Sequence, residues 1–181
     1  MGWPSWEAED VPGVMLIYFC VSAAILLTLL AALEDVRRFT ISNWIPGALI
    51  ALWLVYAPFS GLGWQGAGLN LLTGLGVLAL MMALWMPGWL GGGDAKLIAA
   101  LALWFGWPSV LTFLLLAMIC GGLLAAILLL LRRFAPALPM SPARLAASPL
   151  AQGAPVPYGV AIAGGMLWTL PHSPLMAAFG S

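Results

Sequence analysis

The chain has 181 residues, of which 64% are hydrophobic and 7% charged, with a net charge of zero. A soluble domain is about a quarter charged, and one of this size exposes too much surface to hide so much apolar area. That excludes a soluble fold, and the absence of a basic stretch excludes a nucleic-acid partner. The apolar runs are continuous, whereas membrane barrel strands alternate over about ten residues. The fold class is therefore all-α: a polytopic integral membrane helix bundle in a lipid bilayer.

Six spans follow in chain order, within one membrane-embedded domain covering 1–181. The first ten residues carry Glu7, Glu9 and Asp10, unlike the basic start of a signal peptide. Span one covers 11–33, long enough for a hydrocarbon core of about 30 Å. Glu34-Asp35-Val36-Arg37-Arg38 ends it, and a polar connection runs to Asn43. Span two covers 44–59, and 60–66 is a Gly-rich turn. Span three covers 67–85, stopped by Met86-Pro87-Gly88, and a glycine loop, Gly91-Gly92-Gly93-Asp94, follows. Span four, 95–107, is short; span five is 109–131 and ends at Arg132-Arg133. The Pro/Ala/Ser-rich stretch 134–155 is a loop, and span six covers 156–170.

Basic residues orient such a bundle, because cytoplasmic loops are enriched in Lys and Arg. With alternating spans, Arg37, Arg38, Lys96, Arg132, Arg133 and Arg144, all six basic residues, fall on one side. Both termini and the lone His172 are expected outside, and Asp35 and Asp94 at the cytoplasmic face of the inner membrane. Arg132 and Arg133 read as topology determinants that meet lipid head groups.

Glu34, Asp35 and Asp94 are the only carboxylates near the apolar body, and an acid there is a functional candidate by default. Asp35 ends one span and Asp94 begins another on the same side, so the two can meet if their helices touch. A close carboxylate pair shares a proton near neutral pH. The ionised member takes a proton from water and the neutral one donates to a carbonyl oxygen, which hydrolyses a peptide without metal or cofactor. Adjacent helical residues point about 100° apart, so Glu34 and Asp35 cannot both face one partner. Glu34 then reads as a solvated helix-end residue or a partner of Arg37 or Arg38.

Gly91, Gly92 and Gly93 let a backbone turn sharply and another come close, as an extended peptide substrate requires; the plainer reading is an interhelical turn. Lys96 either tunes Asp94 and binds substrate acids or anchors its ammonium at the interface. Cys20 and Cys120 form no CxxC pair and match no zinc spacing, so they read as small buried residues, and no metal is expected.

Gly91-Gly92-Gly93-Asp94-Ala95-Lys96-Leu97 resembles the GxGD signature of the type IV prepilin peptidases, membrane aspartyl proteases. Asp35-Val36-Arg37-Arg38-Phe39-Thr40-Ile41-Ser42-Asn43 is similar to their first motif, an Asp and a basic stretch before Ile-Pro-Asn. Val156-Pro157-Tyr158-Gly159 resembles the Pro-Tyr/Phe-Gly motif that opens their last span. The resemblance covers roughly residues 13 to 171. It implies Asp35 and Asp94 as the catalytic pair, with Gly91, Gly92, Gly93, Lys96 and Asn43 shaping the site. It also implies a pilin precursor as partner, its short leader cut on the cytoplasmic side in pilus biogenesis and secretion. Ser42 departs from the family, which often has Pro there.

Long members of that family carry a domain with paired CxxC cysteines and methylate the new N-terminus. This sequence has no such pairs, so no methyltransferase activity is expected, as in the small branch that processes Flp-type pilins. A preflagellin peptidase is a close alternative. A presenilin-like protease also uses GxGD, but its acids would lie deeper in long spans. A transporter component would show internal repeats with interrupted helices.

Overall fold

The computed structural model describes residues 11–135, 141, 143, 145, 148–173 and 175, and these contain helices, turns and no strand. Six helices of ten residues or more run in chain order: α1 Val11–Arg38, α2 Trp44–Tyr56, α3 Gly63–Trp85, α4 Gly92–Phe105, α5 Ser109–Phe134 and α6 Tyr158–Thr169. Short 3-10 turns extend α2 over Ala57–Phe59 and α6 over Leu170–His172. Helices α1, α3 and α5 are each long and apolar enough to cross a membrane.

Helix α4 is the axis of the bundle. From Leu97 to Phe105 every residue is buried, as is Ala95, and a helix apolar on all sides belongs in a core. It packs against α2, α3, α5 and α6, while α1 lies outside it against α2 and α6. Two side-chain bonds fix its far end: Trp104 Nε1 donates to the Leu49 carbonyl at 3.1 Å, and Asn70 Nδ2 to the Leu103 carbonyl at 3.1 Å. Buried hydroxyls are satisfied within their own helices, Thr28 on Ala24 and Thr169 on Gly165. The outward faces remain apolar, with Leu26, Leu72, Leu115 and Leu129 each more than half exposed. Such a continuous apolar exterior is that of an integral membrane helix bundle.

The helices depart from the sequence expectation at two ends that matter. Helix α1 does not stop at residue 33 but runs through Glu34 and Asp35 to Arg38. Glu and Arg are good helix formers once the chain reaches water, and the helix stops only where Phe39 turns left-handed at φ 52°. The glycine stretch expected as a loop is instead the start of α4: Gly91 is its N-cap, and Gly92, Gly93 and Asp94 are its first turn. Glycine is a poor helix former in an interior, but a first turn has no intrahelical N–H bonds to lose. Arg144 and the acidic residues Glu7, Glu9 and Asp10 lie outside the described residues.

Candidate functional site

The inward stripe of α1 carries Cys20, Ala24, Thr28, Ala31, Ala32 and then Asp35, all buried. Their three- and four-residue spacing is one helix face, so the same periodicity that packs α1 delivers the Asp35 carboxylate into the protein. Glu34 falls off that face. Its Oε2 accepts the Ser42 N–H at 3.0 Å and so closes the turn after α1. This is a structural role at a partly exposed helix end, within the field of Arg38 and not directed at Asp94.

Asp35 does not hang free. Its Oδ2 accepts the Gly159 N–H at 2.7 Å. Gly159 is in the first turn of α6, where N–H groups lack intrahelical partners, and the N-cap of that helix is Pro157, which has no side-chain oxygen to offer. Asp35 therefore serves as the missing cap, supplied from another helix. Glycine is required at this place: a Cβ there would stand 3.0 Å from Asp35 Cβ and 3.3 Å from Ala32 Cα.

Asp94 is positioned by its own helix. As the third residue after the Gly91 N-cap, it reaches back to the Gly91 amide, half of a capping box. A Cβ on Gly91 would lie 2.6 Å from Asp94 Oδ2, so a side chain there would push the carboxylate away. The other oxygen, Oδ1, is buried and has no hydrogen-bond partner. It is a polar atom available for a ligand.

The two carboxyls face a common cavity of about 410 Å³ and lie close enough for their charges to interact. Helices α1 and α4 are not an extensive packing pair; the aspartates meet across the cavity, with the N-terminus of α6 beside them. Gly91, Phe39, Trp89 and Leu90 line one part, and Pro155, Val156 and Tyr158 another. Tyr158 is held by α5: its ring fills the space that a Cβ on Gly121 would need, at 2.5 Å from Cε2.

The remaining candidates sit around this cavity, not in it. Gly92 packs on the Trp85 indole, 3.2 Å from where its Cβ would be, and Gly93 on Ile41, at 3.0 Å. Lys96 Nζ donates to Asn43 Oδ1 at 2.8 Å, and both line a separate groove between α2, α3 and α4. Together these contacts lock the 39–43 turn onto the first turn of α4. Lys96 thus touches the turn and not the cavity. Lys96→Met and Asn43→Ala are expected to lower melting temperature by the same small amount, each losing about 1 kcal/mol. The double variant should add nothing, as a double-mutant cycle by thermal unfolding in detergent would show.

Sequence reasoning missed Trp89, Leu90 and Pro155 as cavity lining, because nothing local marks them, and it quoted Phe39 within the first motif without assigning it to the site. It quoted Val156 and Tyr158 within a motif without assigning them to the site. Arg132 also differs from expectation: it is half-buried and its guanidinium bonds backbone carbonyls. Among the described residues no group of three His, Cys, Asp or Glu side chains comes together to hold a metal.

A family model described as the type IV leader peptidase family matches residues 14–126, a stretch containing both aspartates. The prepilin leader peptidase/N-methyltransferase of Aeromonas hydrophila is 32% identical over 127 residues, covering 58% of this chain and 38% of that protein. The protein of the same name from Aeromonas salmonicida (strain A449) matches with the same identity and coverage. The chain thus spans well under half the length of the curated relatives it matches. No solved structure matches it. A matched region covering most of the bundle, with an aspartate at each end of one cavity, places the sequence: the chain belongs to the type IV leader peptidase family.

Proposed function

We propose that this protein is a membrane aspartyl endopeptidase that removes the short leader of type IV, Flp-like prepilins, with Asp35 and Asp94 as its catalytic pair. The observation that carries the reading is the shared cavity, lined by two carboxyls from different helices, one of which, Asp94, has a buried and unpartnered oxygen. One carboxyl in its ionised form takes a proton from the attacking water, and the other, neutral, donates to the oxygen of the scissile carbonyl. The two titrate as a unit, so the roles belong to the pair. A cavity of this volume holds a stretch of peptide backbone and a water, whose share of liquid volume is about 30 Å³. The methyl transfer in the relatives' name is said of those proteins and is not part of this proposal.

Orientation follows from charge. Arg37 and Arg38 lie within one turn of Asp35, Lys96 follows Asp94 by two residues, and Arg132 bonds the segment that walls the cavity. The described basic residues thus gather at the aspartate end of the bundle, which by the positive-inside tendency is the cytoplasmic one. The proposed protein is a multi-pass component of the inner membrane with both termini outside. Its substrate's apolar helix enters the bilayer beside it and presents the leader junction at the cytoplasmic edge.

The test is co-expression with a Flp-type pilin precursor, following the leader by gel mobility. The leader should be lost when the enzyme is present and kept when it is absent. Unprocessed precursor in both cases would exclude this substrate class. A reporter fused in the 60–66 turn should be exported, and one after Arg144 should stay cytoplasmic. The reverse pattern would overturn the site's placement.

A further inference from the structure

Arg132 is the one described cation whose hydrogen bonds reach across to the far wall of the aspartate cavity. From the last turns of α5 its Nε donates to the Pro149 carbonyl at 3.0 Å. Its Nη2 donates to the Ala154 carbonyl at 2.7 Å and the Pro155 carbonyl at 3.3 Å. One side chain therefore gathers both ends of the 149–155 segment. Among the described residues its other hydrogen bonds are local: tight turns from Ser148 to Ala151 and Ala151 to Ala154, and the Leu150 N–H on Ser148 Oγ at 3.2 Å. Directly after the clamp come Pro155 and Val156, which line the cavity, then Pro157 and the first turn of α6, whose Gly159 N–H holds Asp35.

We propose that Arg132 is a positioning residue for the peptidase site, fixing the Pro155–Val156 wall against which the substrate chain lies. This rests on the proposed leader-peptidase activity. Chemistry selects arginine here. A guanidinium is a planar fork with five donors, able to bond several carbonyls at fixed angles, whereas an ammonium is a point charge on a flexible stem. Its neighbour Arg133 carries the same charge at the same helix end and is exposed. The two thus look identical in the sequence and differ in burial.

Three variants separate these roles in purified full-length protein: Arg132→Lys, Arg132→Gln and Arg133→Gln. Steady-state cleavage of a leader-containing precursor should show KM raised about tenfold by either Arg132 change. The smaller share of the loss falls in kcat, and Arg133→Gln should match the wild type. Hydrogen–deuterium exchange should quicken across residues 149–157 in both Arg132 variants and stay unchanged elsewhere in the bundle. Full rescue by lysine, or equal losses from Arg132→Gln and Arg133→Gln, would reduce Arg132 to a surface charge and overturn the proposal. If Arg132→Gln does not accumulate, Arg132→Lys carries the test. Wild type that cleaves nothing would count against the peptidase reading alone, because the exchange arm still decides whether the clamp exists: unchanged exchange in Arg132→Lys would refute it.

Discussion

Asp94→Asn and Asp35→Asn should each abolish leader removal, by about a thousandfold or more in rate, while the protein still inserts and accumulates in the membrane. The magnitude is that of losing a general acid or base, and in a unit of two groups either loss removes nearly all of the function. The substitutions are close to isosteric. In Asp35→Asn the amide keeps a side-chain oxygen that can accept the Gly159 N–H, so the cap on α6 persists while the ionisable group is gone. Precursor mobility on a gel, beside the amount of enzyme in the membrane fraction, measures both quantities. Cleavage retained by either variant would remove the aspartyl pair from the mechanism.

Gly159→Val should damage the site from outside the pair. Its Cβ would press on Asp35 Cβ at 3.0 Å and on the α1 backbone at Ala32 Cα, at 3.3 Å. Helix α1 cannot retreat cheaply, because the same face packs Thr28 and Ala31 against the bundle. The expected outcome is a loss of about a hundredfold in kcat/KM with a destabilisation of about 1–3 kcal/mol from overpacking. Gly159→Ala should show the same effects in weaker form. Cleavage assays and thermal unfolding of the purified protein would reveal them. A Val variant with full activity would mean that the hydrogen bond to Asp35 does not orient the carboxylate.

Much of this site was legible because the chain is so poor in charge. Acids among apolar segments stand out, and motif register distinguished Asp35 from Glu34 before any packing was known. The structure adds why the register works: Asp35 continues the face of Cys20, Ala24, Thr28 and Ala32, and Glu34 does not. The role of Glu34 was not legible, since it depends on a backbone N–H eight residues away. It also recasts the Ser42 departure. Proline has no N–H, so the bond to Glu34 exists only because residue 42 is not proline, and one rigid element is exchanged for another.

The start of α4 was misread because glycine's low helix propensity outweighed its position. In a first turn that propensity costs little, and small residues there let Ile41 and Trp85 come close. The C-terminal end of α1 and the cavity wall at 155–156 were beyond reach for a different reason. They depend on a left-handed Phe39 and on carbonyls gathered by Arg132, and neither leaves a periodic trace. Local patterning fixes which face of a helix is buried; it says nothing about which loop a cation will find.

The brevity of α4 has a consequence for the membrane itself. Fourteen residues rise roughly 21 Å, less than the thickness of a hydrocarbon core of about 30 Å. Packed between the longer α3 and α5 and the similarly short α2 and α6, α4 spans only part of the depth of a hydrocarbon core. Hydrophobic mismatch of this kind is relieved by local thinning or tilt of the lipid. The expected consequence is a dimple in the bilayer at the aspartate end, which would let water reach the two carboxyls without a channel.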